Sequence, residues 1–186
     1  MEEISHPLAP GFLIALPHLS DANFRQSVVL LLRADEQGAM GVVINQESSL
    51  LLSDLCRDHS IPYSGDDKKL VRCGGPVQPE HGLVLYGREH DDPDGERVVD
   101  GLHLSGSKNT LARLCNLQEG HFQCYAGYAG WGPGQLLREI EEGSWLASSA
   151  DPGMVLETPA RGVWSGTLQA MHIDPAALVS GGGGEA

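Results

Sequence analysis

What this sequence has least of is positive charge. Twelve Lys and Arg stand against 25 Asp and Glu, for a formal net charge of −13. Nucleic-acid affinity comes mainly from Lys and Arg displacing counterions from phosphates, so the shortage disfavours direct contact with DNA or RNA. The densest basic group, Lys68, Lys69 and Arg72, follows directly on Asp66 and Asp67. Long apolar runs are missing too. Phe12 to Leu16 is far too short for a membrane span, and the residues before it carry Glu2 and Glu3 where a secretory leader is basic.

Paired metal-ligand and nucleophile motifs are also absent. The four cysteines, Cys56, Cys73, Cys115 and Cys124, form no C-x-x-C, and no two of the eight histidines are three or four residues apart. H-E-x-x-H, G-x-S-x-G and S-x-x-K do not occur. The cysteines read as reduced, mostly buried thiols. A spatial pairing of Cys73 with His81 or His103 stays open, because triads assemble from distant positions. No repeat of 20–50 residues is visible. The expectation is a cytoplasmic protein that is not an enzyme, with no metal, no cofactor and no membrane contact.

What the sequence does have is 24 glycines and 11 prolines punctuating short apolar runs. Phe12 to Leu16, Ser27 to Arg33 and Ala39 to Asn45 read as strands, the last two as a hairpin around a polar turn at Ala34 to Gly38. Leu70 to Cys73, Leu83 to Tyr86, Val98 to Leu104, Phe122 to Tyr128 and Met154 to Glu157 read as further strands. Helical spacing marks Leu50 to Asp58 with Ser53 as an internal cap, a helix capped by Ser107 with Gln118 in its apolar pattern and Gly120 at its end, Pro133 to Glu142 closed by Gly143, and Arg161 to Met171. Asp174 and Pro175 cap a final turn. At 186 residues the chain predicts one α+β domain. The expected boundaries are a flexible 1–6, a single domain over 7–179 with a large mixed, mostly antiparallel sheet and a few helices, and a flexible glycine-rich tail at 180–186.

Three stretches invite chemistry. Asp91 to Glu96 (DDPDGE) has closely spaced acids, but counting from Asp92 the twelfth position is His103, so the EF-hand template fails. A solvated hairpin loop is the simpler reading. Gly74 and Gly75 lead into Pro76 and Val77, where adjacent glycine amides can cradle an anion or simply let a strand turn. Ala126 to Leu137 (AGYAGWGPGQLL) is the richest. Pro133 stands where a phosphate-loop Lys belongs, and Gln135 where the third glycine of a dinucleotide fingerprint belongs. A helix start fits better: Gly132 as N-cap, Pro133 at N1, Gln135 reaching back to the Gly132 amide, and Trp131 stapled on Leu136. The free amides that follow can still meet an anion. Candidate ligand residues are Gly74, Gly75, Gly130, Trp131, Gly134 and Gln135.

These residues also carry a resemblance. Gly11 to Ala15 with Pro17, Asp21 to Phe24 leading into Ser27-Val28-Val29, Gly38 to Asn45, Gly74 to Val77, Gly127 to Trp131 with Gly134 to Leu136, and Trp145 run in order over about residues 7–180. Together they resemble the AlgH/YqgE family of bacterial proteins. The resemblance implies a single α+β domain with a large mixed sheet, no established biochemical activity, and a link to transcriptional control of alginate production. Four positions depart from the family pattern: Gln26 where an Arg is usual, His81 where an Arg often follows the acid, and Gln46-Glu47 where a basic residue and Pro are common. The reading that follows is a binding or regulatory module acting through a small anionic ligand or a protein partner. The alternatives are an enzyme with its site near Gly74–Val77 and Gly130–Gln135, and, against the charge, a direct DNA-binding regulator.

Overall fold

The apolar runs become the inner strands of one ten-stranded sheet. In the computed structural model the described residues are 7–17, 19, 21–87, 92–117 and 121–180. The expected flexible segment 1–6, Gln118, Gly120 and the tail beyond 180 lie outside them. The strands are β1 (Gly11–Ala15), β2 (Val28–Asp35), β3 (Gly38–Val43), β4 (Glu47–Leu51), β5 (Leu70–Cys73), β6 (Val77–Tyr86), β7 (Glu96–Val99), β8 (Leu102–Ser105), β9 (Phe122–Trp131) and β10 (Trp145–Ser148). The helices are α1 (Leu52–Asp58), α2 (Lys108–Asn116), α3 (Gln135–Glu141), α4 (Pro152–Leu156), α5 (Ala160–Ala170) and α6 (Pro175–Ser180).

Strand order is β10-β1-β2-β3-β9-β6-β8-β7, with β4 joined to β5 and β5 to β9. Every pairing is antiparallel except β5 with β9. The domain is therefore α+β, with a mixed and mostly antiparallel sheet.

β9 holds the sheet together. Its first half pairs with β5 on one side and β6 on the other, and its last residues pair with β3. The chain leaves β5 on one side of β9 and enters β6 on the other, with only Gly74-Gly75-Pro76 between. That link presses on the β9 backbone. A Cβ on Gly74 would lie 2.2 Å from the Gly127 carbonyl oxygen, and one on Gly75 2.2 Å from the Tyr128 carbonyl. Gly75 and Gly127 also have φ of 148° and 77°. No side chain fits between backbones this close, so the glycine clusters of both motifs mark one strand crossing.

One face of the sheet is covered by α4 and α5, where Phe12, Ile14, Leu30, Tyr125, Trp164 and Leu168 share a buried cluster. The other face carries two clusters. Leu13, Val29, Leu31, Trp131 and Trp145 pack with Leu136 of α3. Val71, Val84, Tyr86, Phe122 and Cys124 pack with α1 and α2. β1 and the first half of β2 are thus buried on both faces, which explains their unbroken apolar runs.

Several expectations are corrected. Met154 to Glu157 is not a strand: Asp151 caps α4 through the Gly153 amide at 2.8 Å, and Pro152 fills its first turn. Val98 to Leu104 is two strands turned at Gly101, which has φ 82°. Leu50 and Leu51 belong to β4, and α1 begins at Leu52, so Ser53 caps nothing. The loop before β7 is no hairpin with β6, because β8 sits between them. β10 had no counterpart in the sequence reading. The β2–β3 hairpin, the Ser107 cap and the Asp174 cap form as expected.

Candidate functional site

Between α1, α2 and the sheet lies a half-open cavity of about 300 Å³. Its floor is the apolar face of β5, β6 and β9, through Val71, Val84 and Cys124. Leu50 and Leu55 line one wall and Leu111 the other. Polar groups gather at the edge: His59 and Glu80 are exposed, and Ser107 and Lys108 begin α2. This is the form of a small-molecule site, an apolar recess with a few polar groups to fix orientation.

Three thiols pack in the same cluster as the floor. Cys56 of α1 and Cys115 of α2 meet with Sγ atoms 3.5 Å apart, and Cys124 is buried close by. Burial pushes all three thiols up, Cys124 to about 12. They stay protonated at neutral pH and serve as packing groups. Lys69 closes this region: its Nζ donates to the Phe122 carbonyl at 2.7 Å and sits 3.7 Å above the Phe122 ring. Burial lowers its pKa.

The α2 wall is fixed by an acid that the sequence placed in a solvated loop. The Asp92 carboxylate is 2% exposed and is paired with Arg113 of α2. It also accepts from Thr110 Oγ1, from Tyr86 Oη at 3.2 Å and from the Asp94 amide at 2.9 Å. Burial acts to raise its pKa, but these hydrogen bonds and the Arg113 charge outweigh it and hold the carboxyl below its ordinary value. Asp94 in turn accepts from Ser107 Oγ at 2.8 Å. The loop is a latch that ties α2 to β6.

The sequence-derived candidates lie elsewhere: the Gly74-Gly75 link runs against the strand that carries Gly130 and Trp131, while Gly134 and Gln135 sit at the start of α3. Gly75 abuts Tyr128 and Ala129, and a Cβ on Gly130 would meet the Val77 side chain at 3.9 Å. Gly74 and Gly75 are buried against backbone. Gly130 is exposed and pairs with Met40 of β3. The start of α3 differs from the expectation. Gln135 N donates to the Gly132 carbonyl at 3.1 Å, and Gly134 has φ 71° and ψ −6°. Pro133 and Gly134 are thus the centre of a type II turn, and the helix begins two residues later than a Gly132 cap implies. The Gln135 side chain still accepts from the Gly132 amide at 3.0 Å, as expected.

The polar ends of Trp131 and Gln135 are held within the fold. Trp131 Nε1 donates to Glu139 Oε2 at 3.0 Å, Trp145 Nε1 donates to the same oxygen at 2.9 Å, and Gln135 Nε2 donates to Glu139 Oε1 at 2.8 Å. The anion at this helix start is Glu139 itself. Cys73 and His103 are not brought together: the Cys73 thiol faces the Gly75 carbonyl at 4.0 Å, and His103 stacks on Tyr86. Among the described residues no cluster of three or more His, Cys, Asp or Glu could hold a metal ion, and no helix is long and apolar enough to cross a membrane.

Sequence reasoning missed the cavity because its walls come from six separate segments between Leu50 and Ala126. It missed Asp92 because the count of twelve tested only a calcium loop. The signal available was Thr110 and Arg113, three residues apart on a helix whose cap was recognised.

Comparison with known proteins gives one consistent answer. A family model described as AlgH-like matches residues 12–176. A UPF0301 protein of Myxococcus xanthus is 42% identical over 180 residues, covering 95% of this chain and 97% of that one. Another from Stenotrophomonas maltophilia is 37% identical over 171 residues, covering 90% of each. The solution structure of the AlgH protein of Pseudomonas aeruginosa superposes with a TM-score of 0.78 at 30% identity, over 100% of both chains. A crystal structure from Corynebacterium diphtheriae, 23% identical, shares the fold with a TM-score of 0.73.

Proposed function

The chain belongs to the AlgH-like family, and from that premise we propose that it is a binding module which takes a small molecule in the cavity between α1, α2 and the sheet. One observation carries this reading: a mostly apolar recess of about 300 Å³ whose charged lining residues, Glu80 and Lys108, are exposed. Its thiols are driven toward the neutral form and serve as no nucleophile. On this reading Gly74 and Gly75 serve the site indirectly. They let β5 cross to β6, which puts Val71 and Val84 on one floor.

We place its work in the cytoplasm and its output in regulation, exerted through a protein partner that reads whether α1 and α2 are braced by ligand. The net charge of −13 supports a protein partner over DNA for an indirect role in transcription.

The test is amide chemical-shift mapping of the full chain against nucleotides, phosphate esters, carboxylates and alcohols. The expected result is saturable shifts centred on Leu50, Leu111 and Ala126. Binding that maps instead to Gly130–Gln135, or no saturable shift with any class at millimolar concentration, overturns the cavity as the site.

A further inference from the structure

The edge of the cavity carries nitrogen donors. Lys108 stands at its mouth, exposed, with no ion pair or hydrogen bond from its side chain to the described residues. His59, at the end of α1, lines the same cavity. A second imidazole joins them, for His81 Nε2 lies 3.9 Å from where a side chain on Gly106 would begin, and Gly106 lines the cavity. One acid, Glu80, lines the same edge. Asp94 accepts from Ser107 Oγ at the start of α2 and keeps its charge there. Below this edge the lining is apolar: Leu55, Ile61, Val71, Val84 and Leu111.

We infer that the ligand is an amphipathic monocarboxylate, an aliphatic or aromatic acid whose apolar body fills the recess and whose carboxylate sits among Lys108, His81 and His59. This rests on the cavity being the site. A carboxylate takes hydrogen bonds from an ammonium and from imidazole N–H groups. A recess at the small end of the ligand-site range admits a body of roughly eight to twelve heavy atoms. The carboxylate stays at the mouth, where water still reaches it, so no charge is carried into the apolar floor.

Three probes with one apolar body separate charge from fit: octanoate, octan-1-ol and octylammonium, each titrated into the full chain below its micelle concentration. Octanoate is expected to bind at least tenfold more tightly than octan-1-ol, and octylammonium more weakly than either. Lys108→Glu is expected to weaken octanoate about tenfold while leaving octan-1-ol within twofold. The substitution touches no partner and puts an acid in the first turn of α2, so folding stability is retained or raised. Octan-1-ol or octylammonium binding as tightly as octanoate, or octanoate affinity unchanged in K108E, overturns the carboxylate assignment and leaves the cavity as the site. If none of the three shifts the resonances of Leu50, Leu111 and Ala126, both the assignment and the cavity reading fall.

Discussion

Trp131 and Trp145 share one acceptor: both indole N–H groups donate to Oε2 of Glu139, at 3.0 and 2.9 Å. The two rings meet edge to face at 5.9 Å, and Phe24 packs on both. One carboxylate on α3 therefore fastens the end of β9 to edge strand β10. Glu139→Ala leaves two nearly buried donors unpaired. It is expected to cost about 1–3 kcal/mol, since Glu139 is only half-buried and water can repair part of the loss. Urea unfolding followed by tryptophan fluorescence measures it. A loss below about 0.5 kcal/mol, within the range of ordinary surface substitutions, would show that the clasp contributes nothing.

The strand crossing makes a ranked prediction. Gly74→Ala must place a Cβ 2.2 Å from a backbone oxygen, with nothing flexible to yield. Its expected cost is about 3 kcal/mol or more. Gly134→Ala meets only the Arg138 guanidinium at 3.4 Å, and its strain comes from φ 71°. That substitution should cost about 1–2 kcal/mol. Thermal or urea denaturation of the two variants side by side settles the order, and the reverse order would contradict the crossing geometry.

Asp92→Asn removes the charge that faces Arg113 while keeping the shape. Arg113 is about half exposed. The expected destabilisation is therefore about 2 kcal/mol, below the range for a fully buried pair. The folded-state pKa of Asp92 is depressed, so its contribution is present above the ordinary carboxylate value of 3.8 and is lost as pH falls through the lower folded value. Wild type and D92N should converge in stability below that point. A gap that persists unchanged at low pH would assign the effect to packing instead.

Alkaline pH acts through the buried thiols. The folded-state values of Cys56, Cys115 and Cys124 lie above the ordinary 9.0 because burial disfavours the thiolate. The stability linked to them is fully present below pH 9 and is lost as pH rises toward the folded values, about 12 for Cys124. Lys69, lowered by burial, works in the opposite sense but is one group against three. Stability should therefore fall between about pH 9 and 10.5. Cys124→Val, similar in size and unable to ionise, should flatten that fall. An equally steep decline in the variant would point to the raised tyrosines Tyr86 and Tyr63 instead.

The sequence was most legible where one local rule decided the outcome. Ser27 to Arg33 and Ala39 to Asn45 are unbroken apolar runs around a polar turn, and they form the expected hairpin. Ser107 caps α2 because only local backbone is involved. Legibility failed where a run was short or a partner distant. Met154-Val155-Leu156 has too few residues to show a period, and the helix signal lay before it in Asp151 and Pro152. Nothing local singles out Glu139, because its indole partners come from strands on either side of α3. The glycines of both motifs meet at the strand crossing. Their demand came from another stretch of backbone, which no local rule can see.

The place of β9 also dictates an order of events in synthesis. It is the central strand between β3 and β6, yet it begins at Phe122, after every strand it pairs with has been made. A nascent chain that has emerged only as far as α2 holds β1–β2–β3 on one side and β6–β8–β7 on the other, with two raw edges and a gap one strand wide. Unpaired edges of this kind recruit other chains. Folding to the native sheet is thus a late insertion rather than a growing ribbon, and the window between residue 116 and residue 131 is when the chain most needs protection.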